Sequence, residues 1–158
     1  MVDLRMPDRI AREVAQYQVD PKQIVLEITE SGLFRDTADT LDILARLHMK
    51  GFTLSIDDFG TGYSSMEQLR RVPFAELKID RAFVNGAQHN AKSRAILQSS
   101  ANLGKRLGLS VVAEGAETKE DWDLLADFDL DVVQGYFISR PMAVEAVDGW
   151  ADNWTATH

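Results

Sequence analysis

Five times along this chain a short apolar, β-branched run leads into an acid, a lysine or an amide, and a helical pattern separates each run from the next. The runs occupy residues 24–29, 52–56, 77–80, 109–113 and 131–136. Strands and helices that alternate over short connections fold as parallel βαβ units. In such proteins chemistry collects beyond the carboxyl ends of the strands. Those ends here offer Glu27, then Asp57 with Asp58, then Lys78 with Asp80, then Glu114 with Glu117, then Gln134. A doubly wound sheet places its site at one switch point, whereas contributions from every strand point to a barrel. Five βα units do not close an eight-stranded barrel, and the first and last strands are left with unpaired edges.

The connecting segments carry their own signals. Pro7 suits a first helical position, and Ile10, Val14 and Tyr17 recur at helical spacing, predicting a helix over 7–18. Asp36 or Thr37 caps a second helix with Leu41, Leu44 and Leu47 on its apolar face, and Gly51 stops it. A short helix is expected over 65–71. Residues 91–107 place Ile96, Ser100, Leu103 and Leu107 on one face. Thr118 with Asp121 resembles a capping box ahead of Trp122, Leu125 and Phe128, and 144–150 predicts a closing helix. The three tryptophan and phenylalanine positions Trp122, Phe128 and Trp150 read as packing residues, and His48 and His89 as solvated.

Composition excludes several classes. The 158 residues carry a net charge of -8 without a basic run, which argues against neutralising the phosphates of DNA or RNA. An anionic ligand would need local positive help. Cysteine is absent, so there is no disulfide framework and no thiolate metal site, in keeping with a cytoplasmic location. No apolar run approaches membrane-spanning length, and Asn153-Trp154-Thr155 reads as a chance sequon.

The stretch from Ser55 to Ser65 concentrates the chemistry. Two adjacent carboxylates raise each other's pKa unless a cation lies between them. Alone, Asp57-Asp58 would read as a solvated turn. Glu27, inside an apolar run, also demands a partner, which is either a metal or Lys78. Asp58-Phe59-Gly60 spells a kinase metal-binding motif, but no kinase catalytic loop accompanies it. Asp80 reads as structural rather than catalytic, because alternation is expected to turn it away from the site if Lys78 points in.

Leu26-Glu27-Ile28-Thr29-Glu30-Ser31, Asp57-Asp58-Phe59-Gly60-Thr61-Gly62-Tyr63-Ser64-Ser65, Leu77-Lys78-Ile79-Asp80, Val111-Val112-Ala113-Glu114-Gly115-Ala116-Glu117-Thr118 and Gln134-Gly135-Tyr136 with Arg140-Pro141 together resemble the EAL family. The resemblance implies a TIM-like (β/α) barrel that hydrolyses the bacterial messenger cyclic di-GMP to linear pGpG with two Mg2+ or Mn2+ ions. It implies Glu27, Asp57 and Asp58 as metal ligands, with Asp57 bridging both ions. Lys78 would steady the attacking water and offset developing charge; as a base it would need a lowered pKa, which neighbouring anions oppose. Glu114 and Gln134 would hold metal-bound water, with Glu117 assisting. Glu30 would anchor the glycine loop, and Phe59, Gly60, Thr61, Gly62 and Tyr63 would serve dimer contact and regulation.

The sequence departs from the family in lacking the Glu-Ala-Leu tripeptide and the asparagine that usually precedes the Glu27 motif, both of which supply metal ligands. The expectation is therefore a partial domain, its C-terminal portion, with three N-terminal strands missing. Weak hydrolysis by this chain and a homo-oligomer, with exchanged elements as one route, follow from that expectation. Two other readings stand beside the enzyme. One is a non-catalytic module that binds cyclic di-GMP or a protein, and the other is an unrelated α/β phosphatase with Asp57 or Asp58 as nucleophile.

Overall fold

The computed structural model describes residues 3–33, 38–62 and 66–157. The chain runs α1 (Met6–Gln16), β1 (Val25–Thr29), α2 (Glu30–Leu33), α3 (Ala38–Met49), β2 (Thr53–Phe59), α4 (Met66–Arg71), β3 (Glu76–Ile79), α5 (Arg81–Val84), α6 (Ala91–Arg106), β4 (Ser110–Glu114), α7 (Lys119–Leu125), β5 (Val132–Gln134) and α8 (Val147–Thr157). Asp36, Thr37 and the loop positions Tyr63, Ser64 and Ser65 lie outside the described residues.

All five strands are parallel and lie in the order β1-β2-β3-β4-β5. Strand order never reverses, so no switch point exists and the arrangement is that of consecutive barrel units, as the strand-end pattern predicts. Alternation divides the sheet into two unlike faces. One carries Leu54, Ile56, Leu77, Ile79, Val111 and Ala113, all fully buried in a core that also takes Ile43, Leu44 and Leu47 from α3 and Leu97 and Ala101 from α6. Burying a leucine or isoleucine of this kind stabilises by about 1.5–3 kcal/mol, so this layer dominates the fold. The opposite face carries Glu27, Ser55, Asp57, Lys78, Val112, Glu114 and Gln134. At the sheet's edges this face is open: Val25 and Val132 are 44% and 47% exposed.

Two helical readings and one strand reading change. Tyr17 is 79% exposed rather than packed, because α1 ends at Gln16 and Gln18 takes a positive φ of 56° that turns the chain away. On α6 the buried residues are Leu97, Ser100, Ala101 and Gly104, while Ile96 and, just past the helix, Leu107 are 38% and 47% exposed. The cause is close packing: a Cβ on Gly104 would lie 2.5 Å from Val111 Cγ2, so the small side of the helix meets the sheet. β2 runs through Asp57 and Asp58 to Phe59 instead of ending at Ile56, with a register shift against β3 between Ile56 and Phe59.

Other readings hold. Gly51 closes α3 at φ 94°, His48 and His89 are exposed, and Trp122 packs on Phe137 and Trp154 with ring centroids 6.0 and 5.8 Å away. The capping box is complete: Thr118 Oγ1 accepts from Asp121 N, and Asp121 Oδ2 accepts from Thr118 N. Thr118→Ala is expected to cost about 1 kcal/mol, read as a lower urea midpoint with an unchanged slope.

Candidate functional site

Lys78 is the centre of the site. It enters from β3 on the open face and is 6% exposed, so its ammonium needs compensation. Nζ donates to Glu27 Oε1 of β1 at 2.5 Å, pairs with Glu114 Oε1 of β4 at 2.5 Å, and lies 3.8 Å from Asp57 Oδ1 of β2. Four strand ends thus meet around one cation. Burial pulls the lysine pKa down, but hydrogen bonds to Glu114 and Glu27, reinforced by the charges of Glu114 and Asp57, outweigh it and hold it above the ordinary lysine value. That is the opposite of what a neutral-pH base requires.

The sign sets a testable pH dependence. A lysine whose folded pKa exceeds its unfolded value contributes stability that is fully present below the unfolded value, about 10.4, and is lost as pH rises through the folded one. Wild type is therefore expected to lose thermal stability through this group only in strong alkali. Lys78→Met should lack this contribution, so the melting temperatures of the two proteins should converge as pH rises past about 10.4. A constant gap across that range would contradict the ion-pair origin.

The β2 end is distorted where it serves the site. Asp58 has a positive φ of 56°, and its N–H donates to Asp57 Oδ1 at 3.0 Å. Asn and Asp tolerate this left-handed geometry better than other non-glycine residues. Asp58 is held above the usual carboxylate pKa by burial first, then by the charges of Asp57 and Asp80, a hydrogen bond with Asp80, and the charge of Glu114. Asp80 therefore faces the site, contrary to the expectation that alternation turns it away. Lys78 and Asp80 are two residues apart, a spacing that keeps both on one side, and this was the available signal. Asp80 also caps α5 by accepting from Ala82 N at 2.8 Å.

Beside this cluster, Glu30 at the start of α2 accepts from Gly60 N at 3.0 Å and Gly62 N at 2.9 Å, fixing the glycine loop to β1. Gly60 sits at φ 99°, and a Cβ there would lie 2.9 Å from the Phe83 ring. Phe59 is buried, and Thr61 Oγ1 donates to Asp58 O at 2.9 Å. On the β4–β5 side, a cavity of about 390 Å3 is lined by Glu114, Glu117, Gln134, Tyr136, Arg81 and Arg140 among others. Glu117 and Gln134 thus face the cavity, whereas the contacts of the Lys78 ammonium are with Glu27, Asp57 and Glu114. The Arg140 guanidinium lies over the Tyr136 ring at 5.2 Å. Sequence reasoning assigned no role to Arg81 or Arg140, although Arg140 belongs to a quoted motif; together they supply local positive charge in an acidic chain.

The donors Glu27, Asp57, Asp58 and Glu114 are hard oxygen ligands of the kind Mg2+ and Mn2+ prefer. The donor chemistry suits such an ion, and the crowding of acids on Asp58 is what a divalent cation relieves. Among the described residues, no three acidic or histidine side chains converge closely enough to hold an ion by themselves.

Parallel strands in unbroken sequence order, with acids from several strand ends gathered on one lysine, define a barrel-type α/β domain with an acidic rim site. The chain belongs to the EAL domain family, whose model matches residues 1–141. It is 41% identical over 138 residues to the bifunctional diguanylate cyclase/cyclic di-GMP phosphodiesterase MucR of Pseudomonas aeruginosa, covering 87% of this chain and 20% of that protein. The chain thus spans about a fifth of the length of this curated relative. The solved structure of the PaMucR phosphodiesterase in complex with c-di-GMP matches with a TM-score of 0.84 and 37% identity, over 92% of this chain and 62% of the other. A manganese and cyclic di-GMP complex of Klebsiella pneumoniae BlrP1 matches with a TM-score of 0.79 and 31% identity, over 85% and 34% of the two chains. Among the described residues, no helix is long and apolar enough to cross a membrane.

Proposed function

We propose that this chain is the C-terminal portion of a metal-dependent phosphodiesterase domain that hydrolyses cyclic di-GMP to linear pGpG. The observation that carries the reading is the meeting of Glu27, Asp57 and Glu114, from three strands, on Lys78 of a fourth. The relatives named as cyclic di-GMP phosphodiesterases and the neighbours solved with cyclic di-GMP support it.

Glu27, Asp57 and Asp58 would hold Mg2+ or Mn2+. Bound there, the ions would acidify a water and polarise the phosphate. The remaining work belongs to the chain. Lys78 stays protonated and offsets charge developing on the phosphate oxygens. Glu114 and Gln134, adjacent in register on β4 and β5, orient the attacking water by hydrogen bonds, and Glu117 assists from the cavity wall. Arg81 and Arg140 meet the dinucleotide's negative charge, and Tyr136 offers it a flat apolar surface. Glu30 keeps residues 60–62 of the loop in place, so that movement of this loop, in dimer contact or regulation, is felt at Asp58 and Asp57.

The Glu-Ala-Leu and asparagine ligands of the family have no counterpart in these residues, so the chain alone is expected to turn over slowly. Its open edges β1 and β5 are expected to pair with another copy, and light scattering should then give a mass above the 17.7 kDa of one chain. A monomer at micromolar concentration would count against that part of the reading. The decisive assay adds Mn2+ and cyclic di-GMP and follows pGpG by chromatography. Slow formation that chelation stops is the expected result, and cyclic di-GMP bound but unchanged would favour the non-catalytic module. That second reading draws on the incomplete ligand set among the described residues.

A further inference from the structure

The Lys78 ammonium and a divalent ion need the same oxygens. Nζ is 2.5 Å from one oxygen of Glu27 and 2.5 Å from one of Glu114, with Asp57 Oδ1 at 3.8 Å. A carboxylate oxygen held this closely by an ammonium has less electron density to give a metal, and a dication brought among these groups is repelled by the lysine at short range. The lysine is 6% exposed and stands near the end of β3.

From this we infer that Lys78 is an internal counter-ion that competes with divalent ions and so sets the affinity of the site for them, a positioning role additional to any part it takes in hydrolysis. The inference rests on the metal-dependent reading above. Its consequence is an order of events: ion loading loosens the lysine from Glu27 and Glu114, and only then does the ammonium become available to an incoming phosphate. Substrate anion and divalent ion therefore bind with positive coupling, each freeing or occupying what the other leaves.

The sign of a neutral substitution separates this role from a merely structural one. If Lys78 only supported the strand ends, its loss would scatter the carboxylates and weaken ion binding. If it competes, its loss leaves three acids uncompensated and strengthens binding. Calorimetric titration of the full chain with Mn2+ alone is expected to show Lys78→Met binding about ten-fold more tightly than wild type. In the presence of chelator the variant should melt below wild type, and Mn2+ should raise its melting temperature by more. Lys78→Gln, neutral but polar, should show the same tightening and serves if the methionine variant does not fold. Mn2+ binding by wild type with equal or weaker binding by the folded variants overturns the counter-ion inference and leaves the phosphodiesterase reading standing. Binding by none of them overturns both.

Discussion

On the proposed phosphodiesterase reading, Asp57→Asn is expected to lower cyclic di-GMP hydrolysis by about 10²–10³-fold while leaving the fold intact. The substitution keeps the shape of the side chain and the acceptor for Asp58 N, seen at 3.0 Å, but removes the charge that faces Lys78 at 3.8 Å. Stability should change little, because Asp57 is one of three acids around the lysine and Glu27 and Glu114 remain at hydrogen-bond distance. Activity should change greatly, because an amide is a poor bridging ligand for hard cations. Steady-state kinetics with Mn2+, paired with a melting curve, checks both halves. Turnover within a few-fold of wild type would remove Asp57 from the chemistry and with it the central argument for this rim as a catalytic site.

Gly135→Ala is expected to be the most damaging single-methyl change in the molecule, costing about 3 kcal/mol or more. A Cβ at that position would stand 2.1 Å from Ala116 O and 2.4 Å from Ala116 N, which are backbone atoms that cannot swing aside. The same junction carries Gly115 N and Ala116 N donating to Gln134 O at 2.7 and 3.2 Å, and Phe137 N donating to Ala116 O at 2.9 Å. Pushing the segments apart would break those bonds and open the cavity wall that holds Glu117, Gln134 and Tyr136. Urea unfolding should show the loss in stability, and any residual activity should carry a raised KM. A stable variant with normal kinetics would mean that β5 packs less tightly on the β4 loop than the structure indicates. Gly149→Ala is the control, since nothing lies within 4 Å of a Cβ there.

The class of fold was legible because periodicity and strand-end chemistry agree: Leu54, Ile56, Leu77 and Ile79 alternate inward while Asp57 and Lys78 take the other face. The convergence of Glu27, Asp57, Lys78 and Glu114 followed from the same parity. What spacing alone could not set was which way a helix turns toward the sheet. On α6 helical spacing puts Ile96, Ser100, Leu103 and Leu107 on one face, but the helix is turned so that Leu97, Ser100, Ala101 and Gly104 are the buried residues, with Gly104 too close to Val111 for a side chain. Nor did composition show that Asp58 would adopt a left-handed backbone, the feature that lets adjacent acids address neighbouring parts of one rim. Asp80 departs from expectation for a simpler reason: it stands two positions from Lys78, and alternation keeps residues so spaced on one side.

The lysine at the rim draws one of its two glutamates from 51 positions away in the chain. Contacts of such separation close late, after the local helices and the intervening crossovers have formed. The cluster therefore assembles at the end of folding, and ion affinity measured during refolding would time the completion of the whole sheet. A proteolytic cut in any connection between β1 and β4 would be read out at the rim before it altered helix content.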